Sequence, residues 1–121
     1  MTVRRWAPPL AWAVFILILT SLPGAMIAGI RAPVGADKLV HFTLYGVLGL
    51  LAAWPALAAR RWARAALIVL LLISAFGALD EFHQRFIAGR SSDVHDWIAD
   101  TLGAAVGIMA AVRARRREPA A

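Results

Sequence analysis

Between positions 78 and 100 the chain reads ALDEFHQRFIAGRSSDVHDWIAD. This stretch holds Asp80, Glu81, Asp93, Asp96 and Asp100, two of the three histidines (His83 and His95), and Gln84, Arg85 and Arg90. A smaller group, Asp37, Lys38, His41 and Tyr45, precedes it. Carboxylates and imidazoles in this number permit three chemistries. His41, Asp80, Glu81, His83 and Asp96 could give oxygen and nitrogen ligands to a divalent metal acting at a phosphate. A His–Asp pair in a partly dry site could serve as general acid and base. Lys38, Arg85 and Arg90 could instead meet an anionic head group while the acids fix their geometry. A fourth use is structural, a hydrogen-bonded polar plug that locks helix packing. No spacing decides among them, since HExxH, a GxSxG elbow and a phosphate-cradling glycine loop are all absent.

The elements that must position these residues are membrane helices. The chain has 121 residues, is 61% hydrophobic, and has a mean hydropathy of +0.70. That apolar share exceeds what a soluble domain of this size can bury. Four apolar segments are expected as helices, over 6–23, 38–59, 64–84 and 93–112, each near the ~17–25 residues needed to span a bilayer. The fold class expected is therefore all-α: one integral membrane domain over 1–121, with four transmembrane helices in a compact bundle. The absence of Cys excludes disulfides, thiolate metal sites and Cys nucleophiles.

Charge gives orientation. Arg4, Arg5, Arg60, Arg61, Arg64, Arg113, Arg115, Arg116 and Arg117 fall at one set of helix ends, against Arg31, Lys38, Arg85 and Arg90 at the other. The positive-inside rule makes the arginine-rich side, with both termini, cytoplasmic. The net charge of +6 is accounted for in the same way, so no nucleic-acid partner is inferred. An alternative treats the N-terminal stretch MTVRRW…LAWAVFILIL as a signal peptide, with small residues near Ala25 and Ala28 as a cleavage site. Pro23-Gly24 and the following MIAGI fit a helix end and an interfacial segment better.

Counting inward at ~1.5 Å per residue puts Asp80 roughly 23 Å across the membrane, Asp96 about 24 Å, Asp100 about 18 Å and His41 about 27 Å. Ionisable groups at such depth must pair or face water, and are functional candidates by default. Helical spacing lets them meet. Asp37, His41 and Tyr45 lie four apart on the second helix, and Asp80, His83 and Gln84 share a face of the third. Glu81 and Arg85, also four apart, could pair. Asp96, Asp100, Gly103 and Gly107 line the fourth, where Gly103 and Gly107 form a small-xxx-small pattern; Gly46 and Gly49 could serve similarly on the second. The cytoplasmic halves are almost purely apolar, which argues against a proton or ion pathway through the membrane.

Several blocks occur together in order: Asp37-Lys38-Leu39-Val40-His41-Phe42, Tyr45-Gly46, Leu48-Gly49, Asp80-Glu81-Phe82-His83-Gln84, Gly89-Arg90, Asp93, Asp96-Trp97, Thr101-Leu102-Gly103 and Gly107. In these the chain resembles the VanZ-like family of small bacterial membrane proteins, over about 37–107. Two positions depart from the family pattern: Asp100 stands where Asn is usual, and Ala88 where Pro is frequent. The resemblance implies a multi-pass protein of the bacterial inner membrane and reduced susceptibility to teicoplanin, a lipoglycopeptide acting on peptidoglycan precursors at the outer leaflet. It implies no catalytic residues.

The expected site is thus an outward-facing pocket. His41, Asp80, Glu81, His83 and Asp96 are candidates for chemistry, and Asp37, Lys38, His41, Tyr45, Gln84, Arg90, Asp93 and Asp100 for binding. The expected partners are membrane lipids and a lipid-linked peptidoglycan precursor or lipoglycopeptide. The alternative is a hydrolase or transferase acting on a lipid-phosphate bond. Neither a cofactor, a metal nor an oligomeric state is specified by the residues.

Overall fold

The computed structural model describes residues 3–30 and 33–117. Arg31, counted above with the outer side, lies outside them. A 3-10 turn, Val3–Trp6, leads into α1, Ala7–Thr20. Pro8 and Pro9 fit in its first turn because those backbone N–H groups have no helical acceptor. Pro23 prevents continuation, and the one-turn helix α2, Gly24–Ile27, follows. Gly35 takes a left-handed backbone (φ 85°) and opens α3, Ala36–Leu57. Then come α4, Trp62–Gln84, and α5, Val94–Arg117. Together the 3-10 turn and α1 (Val3–Thr20), α3, α4 and α5 form four segments long and apolar enough to cross a membrane.

Several ends differ from expectation. α1 ends at Thr20, three residues before 23, α3 ends at Leu57, two before 59, and α4 starts at Trp62, two before 64. Two further differences bear on the site and the basic tail. α3 starts at Ala36, two residues before 38, which brings Asp37 and Lys38 into its first turn, where an acid complements the helix dipole. α5 runs to Arg117, beyond 112, because Ala and Arg in AVRARRR are strong helix formers and no breaker intervenes.

Packing centres on α3 and α5. A Cβ on Gly103 would fall on the Phe42 carbonyl, and one on Gly107 on the Gly46 carbonyl. One on Gly49 would strike Ala104 in the same way. The two backbones therefore touch along the seam, which only glycine permits. Tyr45, Leu48, Ala52, Ala53 and Ala56 of α3 meet Ala104, Ile108 and Ala111 of α5 in the core. α4 covers one side through Val69 and Ile73, and α1 inserts Ile16 from another. The outward faces stay apolar: Leu10, Ile18, Leu71, Leu72, Leu79 and Leu102 are all more than half exposed. That surface suits hydrocarbon, not water.

The antiparallel order collects the first turn of α1, the end of α3, the start of α4 and the end of α5 at one end of the bundle. There the Arg115 guanidinium donates to the Leu57 carbonyl. The opposite end receives Thr20, His41, Asp80, Glu81, Gln84, Asp96 and Asp100.

Candidate functional site

At that opposite end each helix contributes polar groups. α3 turns His41 and Tyr45 inward, α4 Asp80, Glu81 and Gln84, and α5 Asp96 and Asp100, all buried. Gly77 makes room: a Cβ there would lie 3.1 Å from Asp100 Oδ2 and 3.4 Å from the Tyr45 ring.

His41 is the hub. Its Nδ1 lies 2.9 Å from Asp100 Oδ1 and 3.9 Å from Glu81 Oε1, and its Nε2 lies 3.8 Å from Asp96 Oδ2. Asp80 forms a second node. Its Oδ1 accepts from the Thr20 hydroxyl at 2.7 Å, and its Oδ2 from the Tyr45 hydroxyl at 3.2 Å. Glu81 is held from outside, because Asp93 donates its backbone N–H to Glu81 Oε2 at 2.9 Å. The Gln84 amide approaches Glu81 Oε1 at 3.4 Å, a weak bond.

Lys38 closes the rim. Its ammonium meets Asp96 Oδ1 at 2.6 Å, Asp37 Oδ2 at 2.7 Å and Asp93 Oδ2 at 2.8 Å. Asp93 stands just before α5, and its Oδ1 accepts the His95 N–H at 2.9 Å, capping that helix. The hydrogen bond from Lys38, then those from His95, hold the Asp93 carboxyl well below the usual carboxylate range. Arg90 reaches the Thr20 carbonyl through Nη2 at 3.4 Å, while its Nε–H is buried without a partner.

The expected residues separate into three groups. His41, Tyr45, Asp80, Glu81, Gln84, Asp96 and Asp100 are brought together in the interior. Lys38, Asp93 and Arg90 form a half-buried rim, to which Asp37 is attached by its ion pair with Lys38, with 60% of its side chain exposed. His83 is exposed and makes no hydrogen bond to Asp80 or Gln84. The inward stripe of α4 runs through Val69, Ile73, Gly77, Asp80, Glu81 and Gln84, and His83 sits about 100° around the helix from Gln84. Nor do Glu81 and Arg85 pair. The Arg85 guanidinium lies over the Phe82 ring, 5.7 Å from its centre, while Glu81 turns inward.

Thr20 is the site residue that motif reasoning missed. A threonine at the end of an apolar helix normally satisfies itself, and the Ile16 carbonyl, 2.9 Å from Thr20 Oγ1, competes with Asp80 for its one hydroxyl proton. Its burial beside Asp80 follows from where α1 lands. A backbone bond from Gly24 N to the Ala88 carbonyl, 2.9 Å, ties that landing to the α4–α5 loop. A Cβ on Gly24 would fall on the Gly89 carbonyl, so this junction too is glycine-dependent.

Four membrane-length helices around a buried His–carboxylate cluster define a multi-pass membrane protein with a polar site at one end of its bundle. The VanZ/LLP1 family profile matches residues 4–115, and the chain belongs to that family. The match extends past both ends of the motif blocks and takes in α1, which supplies Thr20. No curated protein and no solved structure matches the chain.

Proposed function

We propose that the cluster faces the outer leaflet of a bacterial inner membrane and engages the polar head of a lipid-linked envelope component, thereby lowering susceptibility to teicoplanin-type lipoglycopeptides. The arginine-rich end is then cytoplasmic, as the positive-inside rule requires. One observation carries this reading: fully buried carboxylates, Asp80 at 1% and Asp100 at 0% exposure, sit beneath a rim of half-buried Lys38 and Arg90, at the end opposite the arginine-rich one. Arg90, whose Nε–H has no partner among the described residues, is the rim cation able to meet an anionic group, while Lys38, engaged by three carboxylates, and the interior fix the geometry.

The test is teicoplanin susceptibility of a sensitive host expressing this protein or its Asp80→Asn variant at equal membrane abundance. Protection by the wild type that the variant loses supports the reading. Equal protection by both reduces the cluster to a packing role. No protection from either refutes the lipoglycopeptide link.

A second reading is favoured by the His41–Asp100 contact of 2.9 Å, within reach for general-base chemistry. It makes the protein an enzyme cleaving or transferring a lipid-phosphate bond. Turnover of a polyprenyl phosphate by purified protein in mild detergent, abolished in His41→Gln, separates it from the binding reading.

A further inference from the structure

The charge inventory of the interior does not close. Of the interior carboxylates Asp96 reaches Lys38, whose single charge it shares with Asp37 and Asp93. Asp80 has two hydroxyl donors, from Thr20 and Tyr45. Glu81 and Asp100 remain, both buried, with no Lys or Arg in an ion pair with either among the described residues and a single imidazole between them. Two carboxylates inside an apolar bundle must either hold a proton or gain a positive charge nearby.

The remaining lone pairs converge. Nδ1 of His41 and one oxygen each of Glu81 and Asp100 lie within 4.8 Å of one another. Asp100 Oδ1 faces His41, and Oδ2, beside Gly77, is buried with no hydrogen-bond partner among the described residues. Glu81 is anchored through Oε2 by the Asp93 N–H, which leaves Oε1 facing His41. Donors held ~2.1 Å from a common ion stand roughly 3–4 Å apart, and the His41 Nδ1 distances of 2.9 and 3.9 Å to Asp100 and Glu81 fall at the limits of that range. The other ring nitrogen, Nε2, faces Asp96 Oδ2 at 3.8 Å, too long for a hydrogen bond but on the side from which a carboxylate can orient a metal-bound imidazole. A cleft of about 330 Å³ lined by Ala78, Glu81, Phe82, Arg85, Ser92 and Trp97 gives a way in to Glu81.

We propose that His41, Glu81 and Asp100 form a binding site for one divalent cation of the Zn²⁺ or Mn²⁺ class. One nitrogen and two carboxylate donors suit these ions, and three protein ligands leave coordination positions open to water or to an anionic head group. The site stands independently of the lipoglycopeptide reading, because its charge balance and donor set are intrinsic to the chain.

The experiment uses the full chain in mild detergent, stripped with chelator and titrated with Zn²⁺ by calorimetry, then with Co²⁺ followed by visible absorption. One ion per chain is expected, with a raised unfolding temperature and protein-induced Co²⁺ ligand-field bands. Affinity should fall about 100-fold or more in His41→Gln and Asp100→Asn, and be unchanged in His95→Gln, which removes an exposed imidazole. No saturable ion in the wild type overturns the site, as does binding that His41→Gln leaves intact or that His95→Gln abolishes. If the buried variants fail to fold, the wild-type Co²⁺ complex decides: paramagnetic shifts must fall on the His41 imidazole, and shifts confined to His83 and His95 overturn the proposal.

Discussion

The α3–α5 seam and the α1 edge are joined to the bundle by opposite means. Along the seam, backbone meets backbone at Gly103, Gly107 and Gly49, and side chains are excluded from the contact. At the edge, α1 is joined by side-chain hydrogen bonds, from Trp12 to the Leu44 carbonyl and from Thr20 to Asp80, around the single fully buried Ile16. In lipid, apolar burial gives helices little reason to associate, so close packing and polar bonds must do it. The seam uses the first and sets the distance between His41 and Asp100. The edge uses the second and completes the site by covering Asp80.

The comparison breaks most easily at the seam. Gly103→Ala gains about 1 kcal/mol of helix propensity but drives a methyl into the Phe42 backbone, which cannot rotate away. Overpacking of this kind costs about 1–3 kcal/mol, and a backbone neighbour puts it at the upper end. The expected result in mixed-micelle unfolding is a net loss of about 2 kcal/mol. Gly46→Ala is the control: its added Cβ lies 3.4 Å from the Gly103 carbonyl, an ordinary contact. It should be neutral or slightly stabilising. Equal effects of the two variants would mean that the seam does not hold the helices at this distance.

The same contrast explains what could be read in advance. Gly103, Gly107, Gly46 and Gly49 stood out by their helical spacing, and at all but Gly46, which has room for a methyl, close approach does demand glycine. Which backbone each would meet was hidden, since periodicity carries no partner. The inward members of the cluster followed from depth and spacing, as with Asp80, Asp96 and Asp100. His83 did not, because lipid-facing and protein-facing sides of α4 are both apolar. In water a polar face would have marked the inward stripe; here Leu71, Leu72 and Leu79 face outward and look like core. Thr20 was hidden for a related reason. One hydroxyl in an apolar helix has a self-sufficient bond available, and only the tertiary landing of α1 shows the second acceptor.

At the edge, Thr20→Val tests whether α1 belongs to the site. The substitution keeps the shape and removes the donor to Asp80 Oδ1, leaving Tyr45 as the remaining hydroxyl on that buried carboxylate. A hydrogen bond to a charged group contributes roughly 1.5–3 kcal/mol in water-soluble proteins, and interhelical bonds in membranes average about 0.6 kcal/mol. A loss of about 1 kcal/mol is expected, restored by Thr20→Ser. Any protection against teicoplanin should weaken with it. Unchanged stability and protection would make α1 a packing helix with no part in the cluster.

The smallest effect is expected at Trp12→Phe, in the membrane-embedded middle of the same edge. The Trp12 indole N–H donates to the Leu44 carbonyl at 2.9 Å, which lies inside α3 and already accepts from its own helix. Removing the indole therefore orphans nothing, and Phe keeps an aromatic surface beside Phe15, whose ring centre is 5.0 Å from that of Trp12. The loss should be about 0.5 kcal/mol, near the average for interhelical bonds in lipid. Thr20→Val must exceed it, because that change leaves a buried carboxylate short of a donor. If Trp12→Phe cost as much, α1 would be held by its hydrocarbon-facing packing, and Thr20 would be no more than one contact among several.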